Sequence, residues 1–237
     1  GRRSMQLAWT HLLPSTFGGA ARMNVANALA AAAAAWATGA HLHDIRQGLR
    51  TFTTSFFQAP GRLNYLEVGG VRVVIDYCHN VDGMRNLADF TRRMSDDGSG
   101  NGTGRAGRTL GVIGMPGDRR DEDMREYGAL AAAAFDEIIV REDRNLRGRA
   151  PGETATHVAD GVRSVRENGA NRTTRVDKIL DEMSAVKTAL RRANPGDLVV
   201  MCVDDSIAVY REAMASAGHL AGATAFADPG ELEAPEG

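Results

Sequence analysis

Acidic, histidine and amide side chains follow a short apolar run in the first half of the chain. The run at 71–75 ends on Asp76, and His79 and Asn80 come directly after it. Because open α/β sheets bind ligands at the carboxyl ends of their strands, these residues predict a binding site. A carboxylate accepts a hydrogen bond from a ribose hydroxyl, and an imidazole donates one to a phosphate or carboxylate oxygen. The alternative is that Asp76 only ties down a loop and His79 is merely exposed.

Two later loops also combine glycine with charge. The segment 114–121 (GMPGDRRD) stands between an apolar run and a helical pattern. Backbone N–H groups there favour an anion, although an ordinary strand-to-helix loop explains the same residues.

The segment 141–149 (REDRNLRGR) follows the next apolar run. Its arginines, Arg147 among them, could take the carboxylate of an amino acid, and Glu142 and Asp143 could take a cationic side chain. The alternative is a solvated surface.

Strands and helices must alternate to bring these loops together. Helices are predicted at 22–38 and 43–52, and a hairpin at 63–68 and 71–76 turns on two glycines. Single helices then separate the strands, which predicts an α/β fold with a mostly parallel sheet and right-handed crossovers. Asp82 and Asp205 are expected to cap helices. The remaining predictions are helices at 83–94, 122–134, 153–168, 178–193 and 205–217, and strands at 109–113, 137–140, 173–176 and 198–203.

Composition excludes several classes of protein. A net charge of -2 gives no reason to expect nucleic acid or an anionic membrane as partner. The two cysteines, Cys78 and Cys202, form no CxxC motif, so neither a disulfide framework nor a zinc site is predicted and a cytoplasmic location is favoured. Only Lys178 and Lys187 are lysines, and neither follows a glycine, so the chain carries no phosphate-binding P-loop. A GxGxxG string occurs at 102–107, but it precedes the predicted strand 109–113 and does not join a strand to a helix, so no dinucleotide-binding fingerprint is predicted. Trp9, Trp36 and Tyr77 are expected to be packing residues.

Four stretches, taken in order, resemble the C-terminal part of Mur ligases, and within that family the cyanophycin synthetases. They are RMNVANALAAAAAAWATG, APGRLNYLEVGGVRVVIDYCHNVDGM, GVIGMPGDRRDEDMREYG and REDRNLRGRAPGE. The resemblance implies a Rossmann-like domain and an ATP-driven ligation through an acyl phosphate, with Mg²⁺ neutralising the phosphates. In cyanophycin synthetases it implies that arginine is joined to the side-chain carboxylate of poly-aspartate.

The resemblance also implies roles for individual residues. Asn24 and Asn27 match asparagines that approach adenine, Arg62 matches an arginine that reaches the phosphates, and Asp76 matches the acid that holds the ribose. His79 falls in the catalytic loop. The positions of Glu142 and Arg147 correspond to those that recognise the incoming amino acid, and Asp143 suits an arginine substrate. No metal ligand is expected in this chain. Cys78 and Val81 depart from the usual motif, which weakens a peptidoglycan assignment.

The expected organisation follows from the same resemblance. Residues 1–59 are predicted to be the end of an ATP-binding central domain, 60–217 a complete Rossmann-like C-terminal domain, and 218–237 a flexible tail. The partners would be arginine, a poly-aspartate acceptor, the P-loop-bearing remainder of the same enzyme and further copies of it, and this chain alone would be inactive. Two alternatives stay open. One is another Mur-type ligase, acting on peptidoglycan precursors or folylpolyglutamate, and the other is a non-catalytic subunit that binds a nucleotide or amino acid.

Overall fold

The computed structural model describes residues 5–96, 107–167 and 172–216. The predicted tail lies outside these ranges. Two short 3-10 helices, Thr10–Leu12 and Pro14–Gly19, precede the first long helix. The elements that follow, in chain order, are α1 (Arg22–Ala37), α2 (Leu42–Thr51), β1 (Asn64–Val68), β2 (Val71–Asp76), α3 (Val81–Asp96), β3 (Thr109–Ile113), α4 (Asp121–Ala132), β4 (Glu137–Val140), α5 (Glu153–Glu167), β5 (Arg175–Lys178), α6 (Glu182–Arg192), β6 (Leu198–Cys202) and α7 (Ser206–Ala215).

The strands form one six-stranded sheet in the order β1-β2-β6-β3-β4-β5. Only the β1–β2 hairpin is antiparallel, while β2–β6, β6–β3, β3–β4 and β4–β5 pair in parallel. The predicted α/β class with a mostly parallel sheet is therefore confirmed. Parallel pairing brings the carboxyl ends of β2, β6, β3 and β4 to one edge, so the loops that follow these strands meet there.

Two apolar layers hold the sheet rigid. Val74 of β2 packs in the layer under α3, α4 and α5, whereas Val73 and Ile75 pack under α6 and α7. This alternation follows from the two-residue period of a strand. Every residue of β3 and β6 is buried. The loops at the carboxyl edge are therefore carried by strands that cannot shift without disturbing both layers.

Helices α4 and α5 touch through their backbones at two glycines. A Cβ added at Gly128 would lie 2.0 Å from the carbonyl oxygen of Val158. A Cβ added at Gly161 would lie 2.0 Å from the carbonyl oxygen of Arg125. Since both distances are far below van der Waals contact, this close crossing requires glycine at each position.

Several predicted boundaries and caps differ from the structure. Asn80, rather than Asp82, caps α3, because its side-chain oxygen accepts the Gly83 N–H at 2.7 Å. Helix α6 begins at Glu182, later than predicted, because Asp181 caps it through the Ser184 N–H. The predicted cap at Asp205 is confirmed by a 3.0 Å bond from the Ala208 N–H.

The N-terminal helices present apolar side chains to solvent. Trp9 is 62% exposed and Trp36 is 54% exposed, so neither of these tryptophans, which are expected to be packing residues, is buried within the described part of the chain. On α1 only Ala32 is buried, although the helix is built almost wholly of alanine and other apolar residues. A helix that is apolar on all sides is ordinarily covered by other protein. Among the described residues, none of the helices combines the length and apolar character of a membrane span.

Candidate nucleotide site and adjoining loops

A cavity of about 770 Å³ lies between the two N-terminal helices and the start of the sheet. Its volume is within the range of small-molecule sites. Alanines of α1 and apolar residues of α2 form much of its wall, and Asn24, Asn27, Arg62 and Asp76 all line it. The structure thus brings together an amide pair of α1, an arginine before β1 and the acid at the end of β2, which are separated in the sequence. Their assignment to a nucleotide stays a prediction.

The amides lie on the first turns of α1. Asn24 donates from Nδ2 to the carbonyl oxygen of Ser15 at 2.7 Å. Asn27 donates from Nδ2 to Oδ1 of Asn24 at 3.3 Å. Residues three apart share a helix face, so the spacing accounts for this pair. The amides form a chain of hydrogen bonds along one wall of the cavity.

Asp76 is fixed by the turn that precedes β1. Gly61 and Leu63 both have positive φ, 69° and 47°, and the turn is closed by the Gly61 N–H donating to Oδ1 of Asn64 at 2.6 Å. This turn aims the Leu63 N–H at Oδ2 of Asp76, 2.9 Å away. Burial raises the pKa of Asp76, and the Leu63 amide and the Arg62 charge offset the rise only in part. A carboxylate that has lost its hydration in this way is stabilised by a hydrogen bond from a hydroxyl group.

An aromatic ring supports the neighbouring cation. The guanidinium carbon of Arg62 lies 5.5 Å from the centre of the Tyr77 ring, which is cation–π distance. The Tyr77 and His79 ring centres are 4.8 Å apart. Nδ1 of His79 is 2.8 Å from the carbonyl oxygen of Tyr77. Since a carbonyl only accepts, Nδ1 carries the proton and Nε2 of a neutral His79 is left as an acceptor. His79 is not among the residues that line the cavity, so it lies on the adjoining loop.

The start of the loop after β4 is folded inward, whereas Arg144 and Arg147 farther along it are exposed. Glu142 is buried, and its two oxygens accept the Gly152 N–H at 2.8 Å and the Ala155 N–H at 3.0 Å. These bonds hold the first turn of α5, so both carboxylate oxygens predicted to bind a substrate are already engaged. Arg147, with a positive φ of 52°, pairs with Asp118 at 2.6 Å.

The loops after β3 and β4 are clasped together by a second arginine. Arg149 donates to the carbonyl oxygens of Gly117 at 2.7 Å and Arg119 at 2.8 Å, and it pairs with Asp121 at 2.7 Å. A Cβ at Gly117 would lie 2.2 Å from the carbonyl oxygen of Leu146, so the two loops also touch through their backbones. The glycine-rich segment therefore serves as a support for the charged loop.

Sequence reasoning missed Arg141, the residue that carries the charged loop. It is 2% exposed and pairs with Asp143, and also with Asp204 at 3.3 Å. Burial raises the pKa of Asp143, the Arg141 charge opposes the rise, and Asp204 adds to it. Its position directly after the buried strand β4 did not reveal its burial, because arginine is ordinarily exposed and one of its partners, Asp204, lies far along the chain.

Comparison with known proteins identifies the sheet domain. Residues 61–202 match the family model described as Mur ligase, glutamate ligase domain. The chain belongs to the Mur ligase family. It is 41% identical to the cyanophycin synthetase of Crocosphaera subtropica over 189 residues, which is 80% of this chain and 20% of that protein. It is 40% identical to the cyanophycin synthetase of Synechocystis sp. over 201 residues, which is 85% of this chain and 21% of that protein.

The chain thus spans about a fifth of the length of these relatives. Among solved structures, E. coli FolC in complex with ADP, without folate substrate, matches with a TM-score of 0.57 at 20% identity. The match covers 81% of this chain and 39% of that one, and it supports the fold alone. The Mur ligase domain match contains Arg62, Asp76, His79 and the loop after β4, whereas Asn24 and Asn27 precede it.

Proposed function

We propose that this chain is the C-terminal part of an ATP-dependent ligase of the cyanophycin synthetase type. In the proposed reaction, the γ-phosphate of ATP passes to a side-chain carboxylate of poly-aspartate. The amine of arginine then attacks the acyl carbon, so that an amide forms and phosphate leaves, with ADP as the other product. Support comes from about 40% identity to proteins named cyanophycin synthetase over at least 80% of this chain.

The observation that carries the proposal is the cavity and its lining. An adenine ring needs an apolar wall and hydrogen-bonding amides, which α1 supplies through its alanines and through Asn24 and Asn27. A ribose hydroxyl needs an acceptor, and Asp76 offers a buried carboxylate. Phosphates need a cation, and Arg62 is the arginine in this lining. The four side chains therefore supply one kind of group for each part of ATP: amides for the adenine, a carboxylate for the ribose and a cation for the phosphates.

The metal expected with ATP is not assigned to this chain. Within the ranges 5–96, 107–167 and 172–216, no group of three or more His, Cys, Asp or Glu side chains is arranged to hold a metal ion. The chemistry that we assign to the chain is positioning: Asp76 orients the ribose, Arg62 balances phosphate charge, and His79 presents Nε2 as a proton acceptor beside them.

The amino acid is proposed to bind at the loop after β4. Asp143 and Arg147 lie there at the carboxyl edge of the sheet, one acidic and one cationic, as a zwitterion with a basic side chain requires. Glu142 is proposed to contribute by shaping the loop, because its carboxylate holds the start of α5. Its removal is then expected to impair use of arginine more than use of ATP.

The remainder of the same polypeptide is the proposed partner of α1 and α2. The exposed Leu29 and Trp36 on α1, 57% and 54% exposed, support a cover of protein over this helix. We propose that residues 1–59 complete a central domain that supplies the P-loop, that 60–217 form the C-terminal domain and that 218–237 are a tail. Assembly of copies into a homo-oligomer and a cytoplasmic location are part of the same proposal.

Substitution in the ligase that contains these residues tests the proposal. Arg62→Ala and Asp76→Ala are each expected to abolish ATP-dependent incorporation of radiolabelled arginine into a poly-aspartate primer. Asp82→Ala, which removes an exposed carboxylate on the neighbouring helix, is the matched control and should leave incorporation intact. Near-normal incorporation in both site variants would refute the nucleotide site.

Two rival functions are separated by simpler measurements. If another amino acid, rather than arginine, stimulates ADP release, the chain belongs to a different Mur-type ligase. A non-catalytic binding subunit is favoured by one observation, which is that neither lysine in the sequence follows a glycine, so no P-loop is present. Coding DNA upstream of Gly1 that continues in frame into a glycine-rich Gly-Lys-Ser/Thr loop would support the ligase, and a start codon at that point would support the subunit.

A further inference from the structure

A buried arginine lies where three loops of the carboxyl edge meet. The Arg141 side chain is 3% exposed. Its Nε and Nη2 donate to the carbonyl oxygen of Cys202 at 3.1 and 3.0 Å, and its Nη1 donates to Asp143. Asp204 lies 3.3 Å from Nη1. One side chain thus joins the loop after β4 to the end of β6.

The carboxylates that surround this guanidinium need its positive charge. Glu182, at the start of α6, lies 3.5 Å from Nε and is itself fixed by the N–H groups of Asp204 at 2.8 Å and Asp205 at 3.0 Å. Three carboxylates therefore surround one cation, and all but Asp204 are nearly buried. Removal of the cation would leave like charges in a poorly hydrated space, which is strongly unfavourable.

The loop after β3 is shaped to admit the same side chain. A Cβ at Gly114 would lie 2.8 Å from Nε and 2.9 Å from Cδ of Arg141. Only a residue without a side chain lets the loop pass this close. Gly114 thus provides a way to displace the guanidinium without removing its charge.

The strand end that Arg141 holds is shared with the cavity. Cys202 stands opposite Asp76 in the parallel pairing of β2 with β6. The Val203 N–H donates to the carbonyl oxygen of Asp76 at 2.9 Å. A continuous set of hydrogen bonds therefore runs from Asp143 through Arg141 and the end of β6 to Asp76.

We propose that Arg141 is a positioning residue that holds the amino-acid loop at a fixed distance from the nucleotide site. It touches neither substrate, and it acts by placing Asp143 relative to Asp76. The inference rests on the proposed function, because it requires ATP at Asp76 and the amino acid at the loop after β4.

The test compares Arg141→Gln and Arg141→Lys in the ligase that contains this chain, with ADP release as the assay. Arg141→Gln removes the charge and should raise the KM for arginine at least about tenfold, with the KM for ATP within about threefold of the unsubstituted value. Arg141→Lys keeps a cation among the carboxylates and should restore most of the affinity for arginine. Arg163→Gln, which removes an exposed arginine of α5 outside that loop, is the control and should change neither constant.

If Arg141→Gln fails to fold, Gly114→Ala tests the same positioning role, because its Cβ would displace the Arg141 side chain. It should shift the two KM values in the same unequal way. Variants that lose thermal stability but keep both KM values would overturn the positioning role and leave the proposed function intact. If the unsubstituted ligase releases no ADP in response to any amino acid, the proposed function is refuted, and this inference with it.

Discussion

The Asp76→Asn substitution separates a functional carboxylate from a structural one, because the two roles predict opposite changes in stability. Burial raises the pKa of Asp76, and the Leu63 amide and Arg62 offset this only in part. The charged form therefore costs folding free energy. Asparagine keeps an oxygen for the Leu63 N–H and removes the buried charge. We expect the free energy of unfolding at neutral pH to stay unchanged or to rise by up to about 1 kcal/mol, a Tm increase of up to about 2–4 °C.

The dependence on pH follows from the same shift. Since the pKa of Asp76 is higher in the folded chain, folding takes up protons between the ordinary and the raised value. The stability of the unsubstituted chain, relative to that of Asp76→Asn, is highest below the ordinary pKa of aspartate, about 3.9, and is lost as pH rises through the raised pKa. The Tm advantage of Asp76→Asn should accordingly be full at neutral pH and disappear in acid.

Nucleotide affinity should change in the other direction. A hydrogen bond to a charged acceptor contributes about 1.5–3 kcal/mol, so loss of the Asp76 carboxylate should weaken ADP binding by about 10- to 150-fold. Isothermal titration of ADP and thermal unfolding on the same samples measure both quantities, with Asp82→Asn as the control for an exposed carboxylate. A fall in Tm together with lost binding would show that Asp76 acts only by holding the fold. Undiminished affinity would remove it from the nucleotide site.

Three further predictions concern the supports of the site. Gly128→Ala should destabilise the folded chain by about 1–3 kcal/mol, because its Cβ would lie 2.0 Å from the carbonyl oxygen of Val158. Gly48→Ala on α2, where a Cβ would meet nothing within 4 Å, should stabilise it by up to about 1 kcal/mol. Equal Tm shifts for the two variants in calorimetry would contradict the close crossing of α4 and α5. Glu142→Gln should lower the free energy of unfolding by about 1–3 kcal/mol, because one backbone N–H at the start of α5 would face the side-chain NH2 group and lose its acceptor. Faster hydrogen exchange at the start of α5 would measure this loss. Asp205→Ala should lower the free energy of unfolding in urea by about 1 kcal/mol, while Asp205→Asn should keep the cap; an equal loss in both would show that the cap is not the cause.

Much of the fold is predictable from local pattern. The strands Thr109–Ile113 and Glu137–Val140 lie where the apolar runs place them, because a strand buried on both faces is written as a nearly continuous apolar run. Helix starts are predicted less well. At α3 two candidate caps stand close together, and Asn80 is used because its oxygen reaches the Gly83 N–H. That choice depends on the path of the loop, which the local sequence does not specify.

The candidate site is predictable only in part, and for a different reason. The polar residues at strand ends, Asp76 and Asp143, are found from topology alone, since parallel strands bring their carboxyl ends to one edge. Asn24 and Asn27 come from family resemblance, because an amide on an alanine-rich helix is ordinarily a surface group. The burial of Arg141 is not predictable from its neighbours, because the carboxylates that compensate it include Asp204, which lies far along the chain.

The strand order explains why the distant Asp204 completes the site. Strand β6 is the last strand in the sequence, yet it lies between β2 and β3 at the centre of the sheet. Its end therefore contacts Asp76 on one side, and the loops after β3 and β4 approach from the other through Arg141. An enzyme that transfers phosphate and then joins an amine must hold two substrates at a fixed separation. In the positioning role that we propose for Arg141, that separation is set by one buried strand end, so a residue that touches neither substrate governs how the two meet.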